Sequence, residues 1–171
     1  DVPISIDTYK SSVAQAALEA GACLVNDIWG FKHDPAMAEL TARYHAACCL
    51  MHNRHEAVYT DFQKELLSDL EECVQIARNA GIPDDRIILD PGIGFGKTYE
   101  MNLEALHHLE DLHRLGFPIL LGTSRKSVIG LTLDLPADQR LEGTLATSVI
   151  GVMKGCAFIR VHDIKENYRA I

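Results

Sequence analysis

No apolar run in this sequence approaches the roughly 18 residues that a membrane-spanning helix needs. The longest, such as Ala46 to Met51 and Phe117 to Leu121, are strand-sized, so a soluble protein is expected. Basic residues are in the minority, 16 Lys and Arg against 24 Asp and Glu, which leaves a formal charge of -8. General affinity for nucleic acid or an anionic membrane needs a basic footprint, and both are therefore excluded as partners. The five cysteines are odd in number and show no CxxC spacing. They read as reduced thiols of a cytoplasmic protein rather than as a disulfide framework or zinc ribbon. There is no linker or low-complexity tract, and no GxSxG elbow for a hydrolase nucleophile. The chain opens Asp1-Val-Pro-Ile without an initiator Met or a charged-then-apolar leader, which reads as a fragment.

What is present is a core and a rhythm. Apolar residues make up 47% of 171 residues, enough for one domain over 1–171 that hides roughly 70% of its unfolded surface. Short apolar runs alternate with longer helical patterns, the signature of parallel strands joined by crossover helices. Strands are predicted over Pro3 to Asp7, Ala22 to Asp27, Ala47 to His52, Arg86 to Asp90, Pro118 to Gly122 and Ala157 to His162. Helices are predicted over Lys10 to Ala20, Pro35 to Tyr44, Asp61 to Ala80, Glu100 to Arg114 and Leu141 to Lys154, with Gly21, Gly81, Gly116 and Gly155 as stops. The fold class is α/β.

Polar residues gather at the strand C-termini: Asp7, Asn26 with Asp27, His52 with Asn53, Asp90, the Ser124 to Lys126 run, and Arg160 with His162. Parallel α/β folds build their sites on that face. Strand residues two apart share a side, so Phe158, Arg160 and His162 are expected on one face and Ile159 and Val161 on the other. Asp27 reads equally well as a helix cap. The stretch Gly92-Ile-Gly-Phe-Gly-Lys-Thr98 tempts as a phosphate loop, but a Walker A motif requires Gly where Pro91 stands, and the dinucleotide fingerprint would need Gly at Lys97 or Tyr99. It remains a glycine-rich turn able to bring backbone near a ligand and to present Phe95. His52 and His55 lack a supporting Cys or carboxylate cluster and read as surface-loop residues, so no metal ligand is assigned. His107, His108 and His113 are expected on the solvent face of a helix.

Taken in order, Ile6-Asp-Thr8, Val25-Asn-Asp-Ile28, Leu50-Met-His52, Asp90-Pro-Gly-Ile-Gly-Phe-Gly-Lys97, Gly122-Thr-Ser-Arg-Lys-Ser127 and Arg160-Val-His-Asp163 resemble the motifs of the dihydropteroate synthase family across nearly the whole chain. The resemblance implies a TIM (β/α)8 barrel with about six of its eight βα units present, units three to eight, the last helix being cut off after Ile171. A complete barrel takes about 250 residues. The absent units would carry an Asn near the metal-bound diphosphate and a loop that closes on the aminobenzoate. A piece without them is expected to be inactive alone and, with two unpaired strand edges, prone to aggregate.

The implied reaction transfers the 7,8-dihydropterin-6-ylmethyl group from its diphosphate ester to 4-aminobenzoate and releases diphosphate. The resemblance puts Asp7, Asn26 and Asp90 in the pterin pocket, with Met51, Phe95 and Gly122 shaping its walls. Lys126, Arg160 and His162 are the implied catalytic residues: Lys126 donates to the pterin carbonyl edge, and Arg160 and His162 receive the departing diphosphate. Ser124 and Ser127 position the benzoate end. Mg2+ is the implied cofactor, with its protein ligand outside this chain, and a homodimer is the implied assembly. After Leu50-Met-His52 the chain continues Asn-Arg-His-Glu, where many members have Met-Gln-Gly. The alternatives are a corrinoid-type pterin-binding methyltransferase and a non-catalytic barrel scaffold.

Overall fold

The computed structural model describes residues 2–171. Six parallel strands follow one another in space as they do in sequence: β1 (Ser5–Asp7), β2 (Leu24–Asp27), β3 (Ala47–Met51), β4 (Ile87–Asp90), β5 (Leu120–Leu121) and β6 (Phe158–Ile159). The first four form one sheet and the last two another. A parallel bridge between Leu89 and Ile119 joins them, with Leu89 N–H donating to the Pro118 carbonyl at 2.9 Å. This is the arc of a TIM barrel, and among the described residues no pairing closes it between β1 and β6.

The helices α1 (Ser11–Glu19), α2 (Ala36–Arg43), α3 (Phe62–Asn79), α4 (Tyr99–His107), α5 (Ser127–Leu133), α6 (Leu141–Met153) and α7 (Ile164–Ala170) fill the connections. In α3 the stripe Phe62, Leu66, Leu70, Cys73, Val74 and Ala77 is buried. Its helical spacing makes one apolar face, and each large side chain contributes about 1.5–3 kcal/mol on burial. The Asp61 carboxylate caps the start by accepting from Lys64 N–H, while Glu65 reaches back to Thr60 and Asp61 N–H. The core under the helices joins these residues to Val25, Cys48, Leu50, Ile87, Leu89, Ile119 and Leu121 from the strands. All four glycines expected to stop helices have positive φ.

Three expectations are corrected. The last two strands pair over two residues each rather than five and six. The β6 ladder ends when Arg160 N–H donates to the Leu121 carbonyl, after which His162 N–H turns to the Ser124 hydroxyl. The helix expected over Glu100 to Arg114 stops at His107 and continues as a 3-10 helix, Leu109–Leu115. That tighter winding stacks Leu109 and Leu112 on one side, and both are buried. Helix α5 was not expected, because its Val128, Ile129, Gly130 and Thr132 are poor helix formers. Burial of Val128 and Ile129 holds it in place.

No helix among the described residues is long and apolar enough to cross a membrane. All five cysteines are free. Burial pushes the Cys48 and Cys73 thiols up to about 12, leaving them core groups rather than nucleophiles.

Candidate active site

Strand register assembles the inner face. Asp7 on β1 is paired with Asn26 on β2, Asn26 with Cys49 on β3, and Cys49 with Ile88 on β4. Two residues further along, on the same face, Met51 is paired with Asp90. Asp7, Asn26, Met51 and Asp90, distant in sequence, are thus brought to one side of the sheet at its C-terminal end. Asn26 is buried and donates through Nδ2 to Asp7 Oδ2 at 3.0 Å. The same oxygen accepts from Arg160 Nη1 at 2.9 Å. Gly122 lies beside the Arg160 side chain, where an added Cβ would be in ordinary contact with Nε at 3.4 Å.

Asp90 is 1% exposed. Its Oδ1 accepts from Gly92 N–H at 2.7 Å, whereas the equally buried Oδ2 has no partner. Burial raises the carboxyl, opposed by the Lys126 ammonium, the Gly92 N–H and Arg160. Lys126 lies over the Phe95 ring, 4.9 Å from its centre, and Nζ donates to the Ile93 carbonyl at 2.5 Å. Its pKa is lowered by burial and held up by Asp90 and Asp7. On the far side, Ser124 Oγ and His162 Nδ1 are 2.8 Å apart. A cavity of about 400 Å³ opens among Asp7, Gly122, Ser124, Lys126, Arg160 and His162.

Ser127 stands apart. It is the first residue of α5, is exposed, and lines a separate cavity with Gly130 and Arg140. Asp27 proves to be architectural: its carboxylate accepts from Trp29 and Phe31 N–H and shapes the turn after β2. A larger cavity of about 470 Å³ between α4, α5 and α6 is walled by apolar groups such as Leu106, Val128 and Ile150, and contains none of the expected site residues. Six of the expected site residues line the smaller, polar cavity instead.

The sequence profile of pterin-binding enzymes matches residues 1–162. The chain belongs to the pterin-binding enzyme family. It is 61% identical over 171 residues to the dihydropteroate synthase of Clostridium beijerinckii, covering 99% of this chain and 64% of that protein. Against the dihydropteroate synthase of Bacillus subtilis it is 55% identical, covering 96% and 58%. The crystal structure of dihydropteroate synthase from Clostridium difficile in the presence of pteroic acid superposes with a TM-score of 0.97 at 47% identity, covering 99% and 65%. The chain therefore spans about 58–64% of the length of these two curated relatives.

In this member of the family a network absent from the sequence expectations holds the glycine-rich loop. His52, expected in a surface loop, is fully buried. Its Nδ1 lies 2.8 Å from Lys97 Nζ, and its Nε2 lies 3.1 Å from Asp69 Oδ2. Arg54 grips Asp69 with Nε and Nη2, and Glu65 with Nη1. Nothing in the residue types announced this cluster, because His52, Asp69 and Lys97 sit on three different elements. His55 is exposed, as expected of a loop residue. His107 and His113 are also exposed, although His113 Nε2 contacts the Lys154 carbonyl at 2.8 Å.

Proposed function

We propose that this chain provides the pterin and diphosphate sites of a dihydropteroate synthase. The observation that carries the reading is Asp90 Oδ2, a buried carboxylate oxygen without a partner at the mouth of the barrel. Leaving such an oxygen unbonded is costly, and a ligand bearing adjacent N–H groups satisfies it. The 2-amino-4-oxo pyrimidine edge of a pterin has that pattern, and Asn26, with both donor and acceptor, complements a mixed ring edge.

In the transfer, the bond from the pterin methylene carbon to the diphosphate oxygen breaks and its electron pair leaves with diphosphate. The aminobenzoate nitrogen then bonds to that carbon and loses a proton. Charge grows on the departing group, so fixed cations and donors near it lower the barrier. Arg160 and His162 border the cavity together and fit that role, with Ser124 holding the His162 ring. Lys126, between Asp90 and the Phe95 ring, is assigned to the pterin carbonyl edge and the aminobenzoate side. Ser127, which lines a separate cavity, is given no contact with the benzoate in this reading. Asp7 and Asp90 favour positive charge on the pterin methylene.

The Mg2+ that the family resemblance implies finds no ligand set here: no three His, Cys, Asp or Glu side chains among the described residues cluster to hold a metal. No step is routed through one. Homodimer formation and a cytoplasmic location complete the proposal by family resemblance.

The test uses a full-length protein carrying this sequence. Dihydropterin diphosphate and 4-aminobenzoate should give dihydropteroate and diphosphate in equal amounts. Pterin binding without diphosphate release would select the methyltransferase, and absence of pterin binding would select the scaffold.

A further inference from the structure

Lys97 ends the glycine-rich loop that matched neither phosphate-binding motif, and it takes no part in the proposed chemistry. Its side chain turns back under the loop. Nζ lies 3.0 Å from the Gly92 carbonyl, 3.0 Å from the Phe95 carbonyl and 2.8 Å from His52 Nδ1. An ammonium has three N–H donors and here meets three acceptors. With Lys97 protonated, His52 Nδ1 is the acceptor, and the matching tautomer carries its proton on Nε2, toward Asp69, whose other bonds come from Arg54. The loop is thereby tied to the end of β3 and, through Asp69, to α3. Tyr59 adds a second tether, its hydroxyl donating to the Gly96 carbonyl at 2.7 Å.

What the loop offers the cavity lies between these ties. The Ile93 carbonyl receives Lys126, and the Phe95 ring lies beneath the same ammonium. The Asp90 backbone, by contrast, is set by the β4 ladder, and the loop reaches its carboxylate through one bond, from Gly92 N–H to Oδ1 at 2.7 Å. We propose that Lys97 is a positioning residue: by fixing the Gly92 and Phe95 carbonyls against His52 it sets Phe95 and Lys126 for the amine-bearing aromatic substrate, while leaving the pterin-binding carboxylate to the strand. The inference rests on the functional reading above.

The experiment compares wild type and Lys97→Met in a full-length protein carrying this sequence. It measures pterin affinity by direct titration and kcat/KM for 4-aminobenzoate at saturating pterin diphosphate. Lys97→Met should lower kcat/KM for the aminobenzoate tenfold or more and change pterin affinity less than threefold. Lys97→Gln, whose amide retains part of the bonding, should fall between. A kcat/KM within twofold of wild type overturns the proposal. An equal loss in pterin affinity also overturns it, because Lys97 would then support the whole pocket. If Lys97→Met does not fold, Tyr59→Phe decides: a threefold or greater loss in the same ratio supports loop positioning, and a smaller change overturns it. Failure of the wild type to bind pterin would instead overturn the functional reading.

Discussion

Arg160 Nη1 and Asp7 Oδ2 meet at 2.9 Å, although 153 residues separate them. The contact joins the end of the last strand to the end of the first across the mouth of an open barrel. It also places the cation assigned to diphosphate directly beside a carboxylate assigned to the pterin. Both side chains are partly exposed, so the pair by itself stabilises the fold little; its significance lies in the charges it sets side by side.

Arg160→Ala should therefore reduce turnover without unfolding the protein. Loss of a charged hydrogen-bonding group facing the departing diphosphate is worth roughly 1.5–3 kcal/mol of transition-state stabilisation. Steady-state kinetics should show kcat/KM for pterin diphosphate falling about 10- to 150-fold. Unchanged turnover would remove Arg160 from the diphosphate site.

The strand edges give a second prediction. Among the described residues β1 pairs only with β2 and β6 only with β5, while Val2, Ile4 and Phe158 expose apolar surface beside them. Unpaired edges with apolar neighbours template association. Expressed by itself, residues 1–171 should elute as aggregate in size-exclusion chromatography and lack a cooperative thermal transition. A monodisperse monomer that melts cooperatively would show that the six-unit arc is self-sufficient.

Acid should unfold the full-length protein through His52 and Asp69. Burial lowers His52 to about 4 from its ordinary 6.5. The unfolded chain thus binds more protons than the folded one between those values, and stability falls as pH drops from 6.5 toward 4, by an amount on the order of 3 kcal/mol. Burial pushes Asp69 up, but hydrogen bonds from His52 and Arg54 outweigh it and hold the carboxyl well below the usual range. Its contribution is present above the ordinary aspartate value and is lost at lower pH still. Urea titrations of wild type and His52→Gln at pH 7 and pH 5 should show the larger acid loss in wild type. Equal losses would contradict the assignment to His52.

Gly96→Ala tests the packing of the loop against the segment that follows β3. Gly96 has φ 54, and an added Cβ would come within 2.6 Å of the Arg54 backbone nitrogen and oxygen. Backbone cannot rotate away as a side-chain tip can, so the substitution should cost about 1–3 kcal/mol. The cost should appear as a lower denaturation midpoint, and an unchanged midpoint would mean that the loop yields.

The strands and the inner face are legible in the sequence because both rest on local signals. A run such as Ala47 to Met51 declares a buried strand, and period-two alternation then assigns Asp7, Asn26, Met51 and Asp90 to one side once the strands are parallel neighbours. What escapes are features made by convergence. Lys97, His52 and Asp69 come from a loop, a strand end and a helix, and none has a spacing that marks it as a partner of the others. Burial alone distinguishes His52 from the exposed His55 three residues later, and burial depends on α3 packing over it. Helix α5 escapes for the opposite reason: its local propensities point away from the structure that tertiary contacts enforce.

The most direct test of the shared cup is pterin titration of a full-length protein carrying this sequence, wild type against Asp90→Asn. The substitution keeps the size of the side chain and can place an NH2 group where an oxygen now stands bare. Kd for the pterin should rise at least tenfold, equivalent to about 1.4 kcal/mol. An Asp90→Asn variant that binds pterin as tightly as wild type would contradict the assignment of Asp90 to a pterin.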